Sequence, residues 1–267
     1  MNKLKELNKR FLKIPKRLRF FISVFLLSLS MLVSTLFYFD KAVFFLPLLI
    51  ILSYSLTYFS LLEEIERFEW YSLFFIEVVL TASFYLFFFL FPARWLTRLP
   101  FILLYGVSLY AALLCSNIFN VGVEKSLQLY RAAYSVNFFY QTLVMFLVLN
   151  IIFSFKLNFL INGILIGVSI FLFTIQLLWT VRPKIQLEKE IVRYAMLSAI
   201  LIGEAGMMFS FVPLKASVFS LFLTASYYSM TGLAYHYLDQ RLFKETIREY
   251  LTVLAFTFVI MVLTISW

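Results

Sequence analysis

Apolar runs of about 20 residues recur almost end to end along this chain. A helix rises ~1.5 Å per residue, so one such run is what crosses ~30 Å of hydrocarbon. Nine of them can be placed, at 20–39, 42–62, 70–91, 101–119, 132–155, 157–180, 195–213, 216–235 and 251–267, and the fifth can be extended back towards Glu124. The links between them are too short for a soluble domain. The runs are apolar all round, without the one-sided stripe of a globular helix or the alternation of a barrel strand. With 63% hydrophobic residues and 14% charged, the sequence predicts an all-α, polytopic transmembrane bundle of about nine spans. It forms one domain over 20–267, preceded by a basic segment over 1–19.

Charge placement supplies an orientation. With the N-terminus inside, eighteen Lys and Arg fall on the inner side and five (Lys41, Arg94, Arg98, Lys156, Lys215) on the outer. Cytoplasmic loops carry the excess of positive charge, so the bias predicts a cytoplasmic N-terminus, an external C-terminus and a plasma-membrane location. A miscounted span would swap the later charges and erase the bias. The run from Phe20 to Phe39 is too long for a cleaved signal peptide and lacks a small-x-small site, so it reads as a retained signal-anchor.

Within residues 1–19, Leu4, Leu7, Phe11, Ile14 and Leu18 recur at helical spacing among eight basic residues. That is a basic amphipathic helix suited to the inner membrane surface, where each cation near anionic lipids contributes ~1 kcal/mol. The partner it implies is the bilayer, through anionic inner-leaflet lipids. The plainer reading of the same charges is topogenesis alone. A nucleic-acid partner is not expected, because the basic residues follow the membrane side instead of a folded basic face.

The polar residues inside the spans are few. Glu77 lies roughly 10 Å from the inner end of the third span, and Glu204 lies near the midplane of the seventh. An ionised carboxylate at such depth costs at least ~2.5–3.5 kcal/mol, so each is expected to be protonated, paired or facing water. They offer a proton- or cation-coupling site, or else a structural bond to a neighbouring helix. Also in the seventh span, Ala195, Ala199, Gly203, Gly206 and Ser210 form a narrow stripe of small side chains, with Gly203 and Gly206 as helix-packing positions. Glu204 points about 100° away from Gly203, which predicts a helix engaged on two sides.

The eighth span carries Ser217, Ser220, Thr224, Tyr228, Thr231 and Tyr235 on one face. They make one wall of a polar path, or a set of interhelical hydrogen bonds. Tyr130, Tyr134, Asn137 and Gln141 give the fifth span a shorter polar face, expected to point inward towards the eighth. His236 and Asp239, spaced i, i+3, form with Arg241 and Arg131 a candidate site at the cytoplasmic interface. One such His–Asp pair is thin support for acid–base chemistry.

No glycine-rich phosphate loop, His-Glu-x-x-His or Gly-x-Ser-x-Gly is present, so no catalytic residue and no cofactor is expected. A single histidine and a single cysteine, Cys115, exclude an internal disulfide and a cysteine metal cluster, and no metal is expected.

Three stretches carry a resemblance: Asn117-Ile118-Phe119-Asn120-Val121 with Leu127 and Arg131-Ala132-Ala133; Glu204 with Ser210-Phe211-Val212-Pro213; and Tyr227-Tyr228, Thr231-Gly232-Leu233, Arg241-Leu242 and Glu249-Tyr250. Together they resemble an uncharacterised multi-pass membrane protein family of small-genome candidate-phyla bacteria, over roughly the C-terminal 150 residues. The resemblance implies a bacterial plasma membrane and no activity. It marks Glu204, Arg131, Arg241 and Glu249 as the polar positions to test. Three functions compete: transport or channel-like activity along the polar path, a structural or assembly role in the envelope, and an enzyme acting on lipid-linked substrates.

Overall fold

The computed structural model describes residues 14–37, 42–62, 70–90, 95–121, 127–181 and 187–265. Among these residues there are nine helices and no strand: α1 (Lys16–Phe37), α2 (Ala42–Ser60), α3 (Trp70–Phe88), α4 (Trp95–Val121), α5 (Leu127–Ser154), α6 (Phe159–Trp179), α7 (Lys189–Phe209), α8 (Ala216–Leu238) and α9 (Lys244–Leu263). One helix falls on each apolar run of the sequence. Six of them, α1 and α4 to α7 together with α9, are long and apolar enough to cross a membrane. The described apolar parts of α2 and α3 are shorter, and α8 is long but its Ser, Thr, Tyr and His side chains lower its hydropathy.

The helix ends depart from the apolar runs in an informative way. α9 begins at Lys244 and α7 at Lys189, several residues before their apolar runs. Charged first turns are good helix formers with acidic residues (Glu245, Glu190) at the positive end of the dipole, so the helices extend beyond the apolar part. The basic amphipathic helix expected over 1–19 lies mostly outside the described residues. Its last turn belongs to α1, where Arg19 is fully buried and Arg17 is exposed.

The helices group into two compact units, Met1–Tyr140 and Gln141–Trp267, with the boundary inside α5. In the first unit α1 packs on α2 and α4, and α3 packs on α2 and α4. In the second unit α6 and α7 form the closest pair, and α8 adjoins α6, α7 and α9.

The surface is apolar where that of a water-soluble protein would be polar. Along α6, Leu160, Ile161, Ile164, Val168 and Leu172 are exposed, whereas Asn162, Thr174 and Gln176 are buried. A surface of branched aliphatics over a core containing amides suits lipid outside and hydrogen-bonding helices inside. Many serine and threonine hydroxyls are satisfied within their own helix. Ser30, Ser55, Ser108, Ser169, Ser220, Ser226, Thr231 and Thr252 each donate to the carbonyl four residues earlier.

Candidate functional site

The first unit holds the most enclosed carboxyl group. Glu77, on α3, is fully buried. Its Oε1 accepts the Ser116 hydroxyl of α4 at 2.5 Å, while its Oε2 has no hydrogen-bond partner. Beside it runs a hydroxyl chain across three helices. Tyr105 donates to Thr81 at 2.9 Å, Thr81 donates to the Glu77 carbonyl oxygen at 2.8 Å, and the one Ser53 proton serves either Thr81 at 3.1 Å or the same carbonyl at 3.3 Å. The sequence marked Glu77 but not Ser53, Thr81, Tyr105 or Ser116. Isolated hydroxyls in an apolar run carry no periodic signal, so nothing but depth alongside Glu77 could have found them.

Glu204 is placed differently. It is exposed on the outer face of α7, between Ile200, Leu201 and Met208, and bonds to no described residue. Glu204 therefore does not engage the second neighbour expected of it; α7 does meet two helices, α6 and α8, but through the small stripe and through residues such as Ile191, Ile202 and Phe209. Glu77 and Glu204 thus do not form one site.

The stripe meets α6. A Cβ on Gly203 would stand 3.2 Å from the Gly163 carbonyl oxygen and 3.4 Å from the Gly167 Cα, and one on Gly167 would stand 3.3 Å from the Ala199 carbonyl oxygen. Ala195 and Ala199 are buried in the same seam. Gly206 faces a side chain instead, with its hypothetical Cβ 2.5 Å from Ile166 Cδ1. The partner surface, Gly163-Ile-Leu-Ile-Gly167, is a Gly-x-x-x-Gly pattern that was legible in the sequence and missed.

The polar interior of the second unit centres on Gln141. Its Nε2 donates to Gln176 Oε1 of α6, and its Oε1 accepts the Tyr227 hydroxyl of α8 at 2.9 Å. Of the expected polar face of the fifth helix, Tyr130, Tyr134, Asn137 and Gln141 are all buried, and Gln141 is the residue seen bonded to α8. The bonding partner, however, is Tyr227 and not the stripe residue Tyr228, which packs at a tilt against Tyr250 with ring centroids 5.1 Å apart. Thr224, in the hydroxyl row, is buried with its Oγ1 unpaired, and Thr231 bonds back to the Tyr227 carbonyl. Ser217, at the start of the row, is exposed. Asn137 is buried within the first unit with its Nδ2 unpaired.

At the far end of α8, the His236 and Tyr250 ring centroids lie 5.9 Å apart, and Ser229 donates to the Tyr250 carbonyl at 3.0 Å. Tyr250 lies over Gly232, where an added Cβ would come within 2.4 Å of the ring. Asp239 pairs with Arg241 at 3.5 Å on the surface. Arg131 is exposed near the start of α5, in the first unit. Close to Asp239, a cavity of about 460 Å³ opens between helix ends and is lined by Glu188, Glu190, Tyr237 and Gln240 among others.

Apolar surfaces, interiors with a few bonded polar groups and a glycine-seamed helix pair define the class: among the described residues, an all-helical protein whose six long apolar helices suggest a membrane location. The chain belongs to the family described as protein of unknown function (DUF5656), which matches residues 78–264. The match is wider than the C-terminal resemblance read from the sequence. It takes in Glu204 and the Gln141 network, and it begins one residue after Glu77. No curated protein and no solved structure matches the chain.

Proposed function

We propose that this is a multi-pass protein of the bacterial plasma membrane, with nine spans, a cytoplasmic N-terminus and an external C-terminus, that takes up or conducts protons or small cations through its first unit. Glu77 is the ionisable group of this reading. The observation that carries it is the half-satisfied carboxyl: one oxygen held by Ser116, the other buried and unpaired, with the Ser53–Thr81–Tyr105 hydroxyl chain alongside. A structural carboxyl is normally fully hydrogen-bonded when buried, because an unmet polar atom costs ~1–3 kcal/mol. The free oxygen can receive a proton or a small cation, and the hydroxyl chain, bonded to the Glu77 backbone carbonyl, fixes the residue from the other side.

The test is flux in proteoliposomes loaded with a pH- or cation-sensitive dye. Wild type and Glu204→Gln should dissipate an imposed gradient, and Glu77→Gln should fold normally and fail to do so. Equal flux in the Glu77→Gln variant would overturn the proposal. A structural or assembly role is the second reading, favoured by the second unit, where the α8 hydroxyls Ser220, Ser226 and Thr231 turn back onto their own helix instead of lining a path. The cavity beside Tyr237 and Gln240 leaves lipid-linked chemistry as the third.

A further inference from the structure

At the opposite end of the second unit from Asp239 lies a cavity of about 520 Å³, lined in part by Lys156, Asn162, Ser210, Ala216, Phe153 and Phe219. Asn162 is only 4% exposed, yet its amide is half used: Nδ2 donates to the Leu157 carbonyl at 3.2 Å, and the buried Oδ1 has no partner. A buried carbonyl-type acceptor without a donor marks a place where a ligand N–H or O–H belongs. Lys156 stands on the rim with a φ of 50°, the left-handed region where glycine is the unstrained choice. Its ammonium pairs with no described acidic group. α8 opens onto the same cavity at Ala216, and Lys215 gives that helix start no side-chain cap. The Val218 and Phe219 amides return to the Lys215 carbonyl, which leaves the Ala216 and Ser217 amides as the free donors at the positive end of the helix dipole. Phe153 and Phe219, with ring centroids 4.3 Å apart, supply an apolar wall.

We propose that this cavity binds a polyol phosphate: an anionic phosphate ester that also carries a free hydroxyl. The phosphate is held between Lys156 and the start of α8, the hydroxyl donates to Asn162 Oδ1, and the ester's carbon skeleton lies on Phe153 and Phe219. One acceptor, one cation and one set of free amides discriminate against a zwitterionic choline ester, which has no hydroxyl to donate. The chemistry is shared by two sources, the head group of a hydroxylated anionic glycerophospholipid and free glycerol phosphate. The site lies in the second unit, so it stands or falls independently of Glu77.

The test uses the full chain, purified in a neutral detergent, with its thermal unfolding midpoint followed against four additives: dihexanoyl phosphatidylglycerol, dihexanoyl phosphatidylcholine, glycerol 1-phosphate and inorganic phosphate. The phosphatidylglycerol midpoint should rise with saturation, and the phosphatidylcholine and inorganic phosphate midpoints should not. A rise with glycerol 1-phosphate as well assigns the free metabolite as a source, and a rise with the lipid alone assigns the membrane; both support the site. Lys156→Gly relieves the left-handed backbone, so the variant should unfold at or above the wild-type midpoint without additive and bind phosphatidylglycerol at least tenfold more weakly. Asn162→Asp keeps the shape and should abolish the response by repelling the phosphate. An equal shift with phosphatidylcholine or inorganic phosphate would overturn the proposal, and so would an undiminished response in Lys156→Gly.

Discussion

Replacing Gly203 probes how the second unit is held together. A Cβ there points at two backbone atoms of α6, the Gly163 carbonyl oxygen at 3.2 Å and the Gly167 Cα at 3.4 Å. Neither can rotate away as a side chain would. Gly203→Ala therefore requires the helices to part by a few tenths of an ångström, at the low end of the ~1–3 kcal/mol typical of overpacking. Gly203→Leu adds three more carbons to the same seam and should reach or exceed the top of that range, about 3 kcal/mol. Gly206 is the internal control. Its Cβ would meet Ile166 Cδ1, the far end of a flexible side chain. Gly206→Ala should cost less than Gly203→Leu, and shortening Ile166 to Val should recover most of that cost. Trp179 is buried at the end of α6, so its fluorescence during detergent-induced unfolding reports on this unit. A Gly203→Leu protein that unfolds at the wild-type midpoint would refute the backbone seam.

Gln141→Leu should destabilise by ~1–3 kcal/mol, because it strands the Gln176 carbonyl oxygen and the Tyr227 hydroxyl in the interior. The triple variant Gln141→Leu, Gln176→Leu, Tyr227→Phe should recover much of the loss in the same unfolding assay. Glu204→Leu should shift the midpoint by no more than about 0.5 kcal/mol, as expected of a surface position without partners. A hydrophobic carbodiimide should modify Glu204 well before the buried Glu77, as read by peptide mass spectrometry, and the reverse order would contradict their placement.

How far the sequence could be read depends on which property each element rests on. Helix number followed from apolar length, which needs no partner to be seen. The seam at Gly203 was half legible: the small stripe of α7 stood out, but its complement at Gly163 and Gly167 was hidden by flanking isoleucines and leucines of an ordinary span. The hydroxyl row of α8 was correctly periodic, yet periodicity fixes a face and not a reach. Tyr227, one residue off the row, carries its hydroxyl to Gln141 at the end of a long ring, while the rowed Ser220 and Thr231 turn back onto their own carbonyls. The two glutamates looked alike because depth can be counted along a chain, whereas helix rotation cannot. One is sealed among helices and the other faces outward.

Those self-satisfied hydroxyls bear on how the chain is made as well as on how it is held. A serine or threonine bonded to its own helix asks nothing of its neighbours, so on the membrane reading such a helix can enter lipid before it meets a partner. Association comes afterwards and relies on shape at the glycine seam and on a few amide contacts. Biogenesis therefore separates into two stages with different failure modes. Faults in apolar length leave a segment refused by the membrane, while faults at Gly203 or Gln141 leave a threaded but unassembled chain.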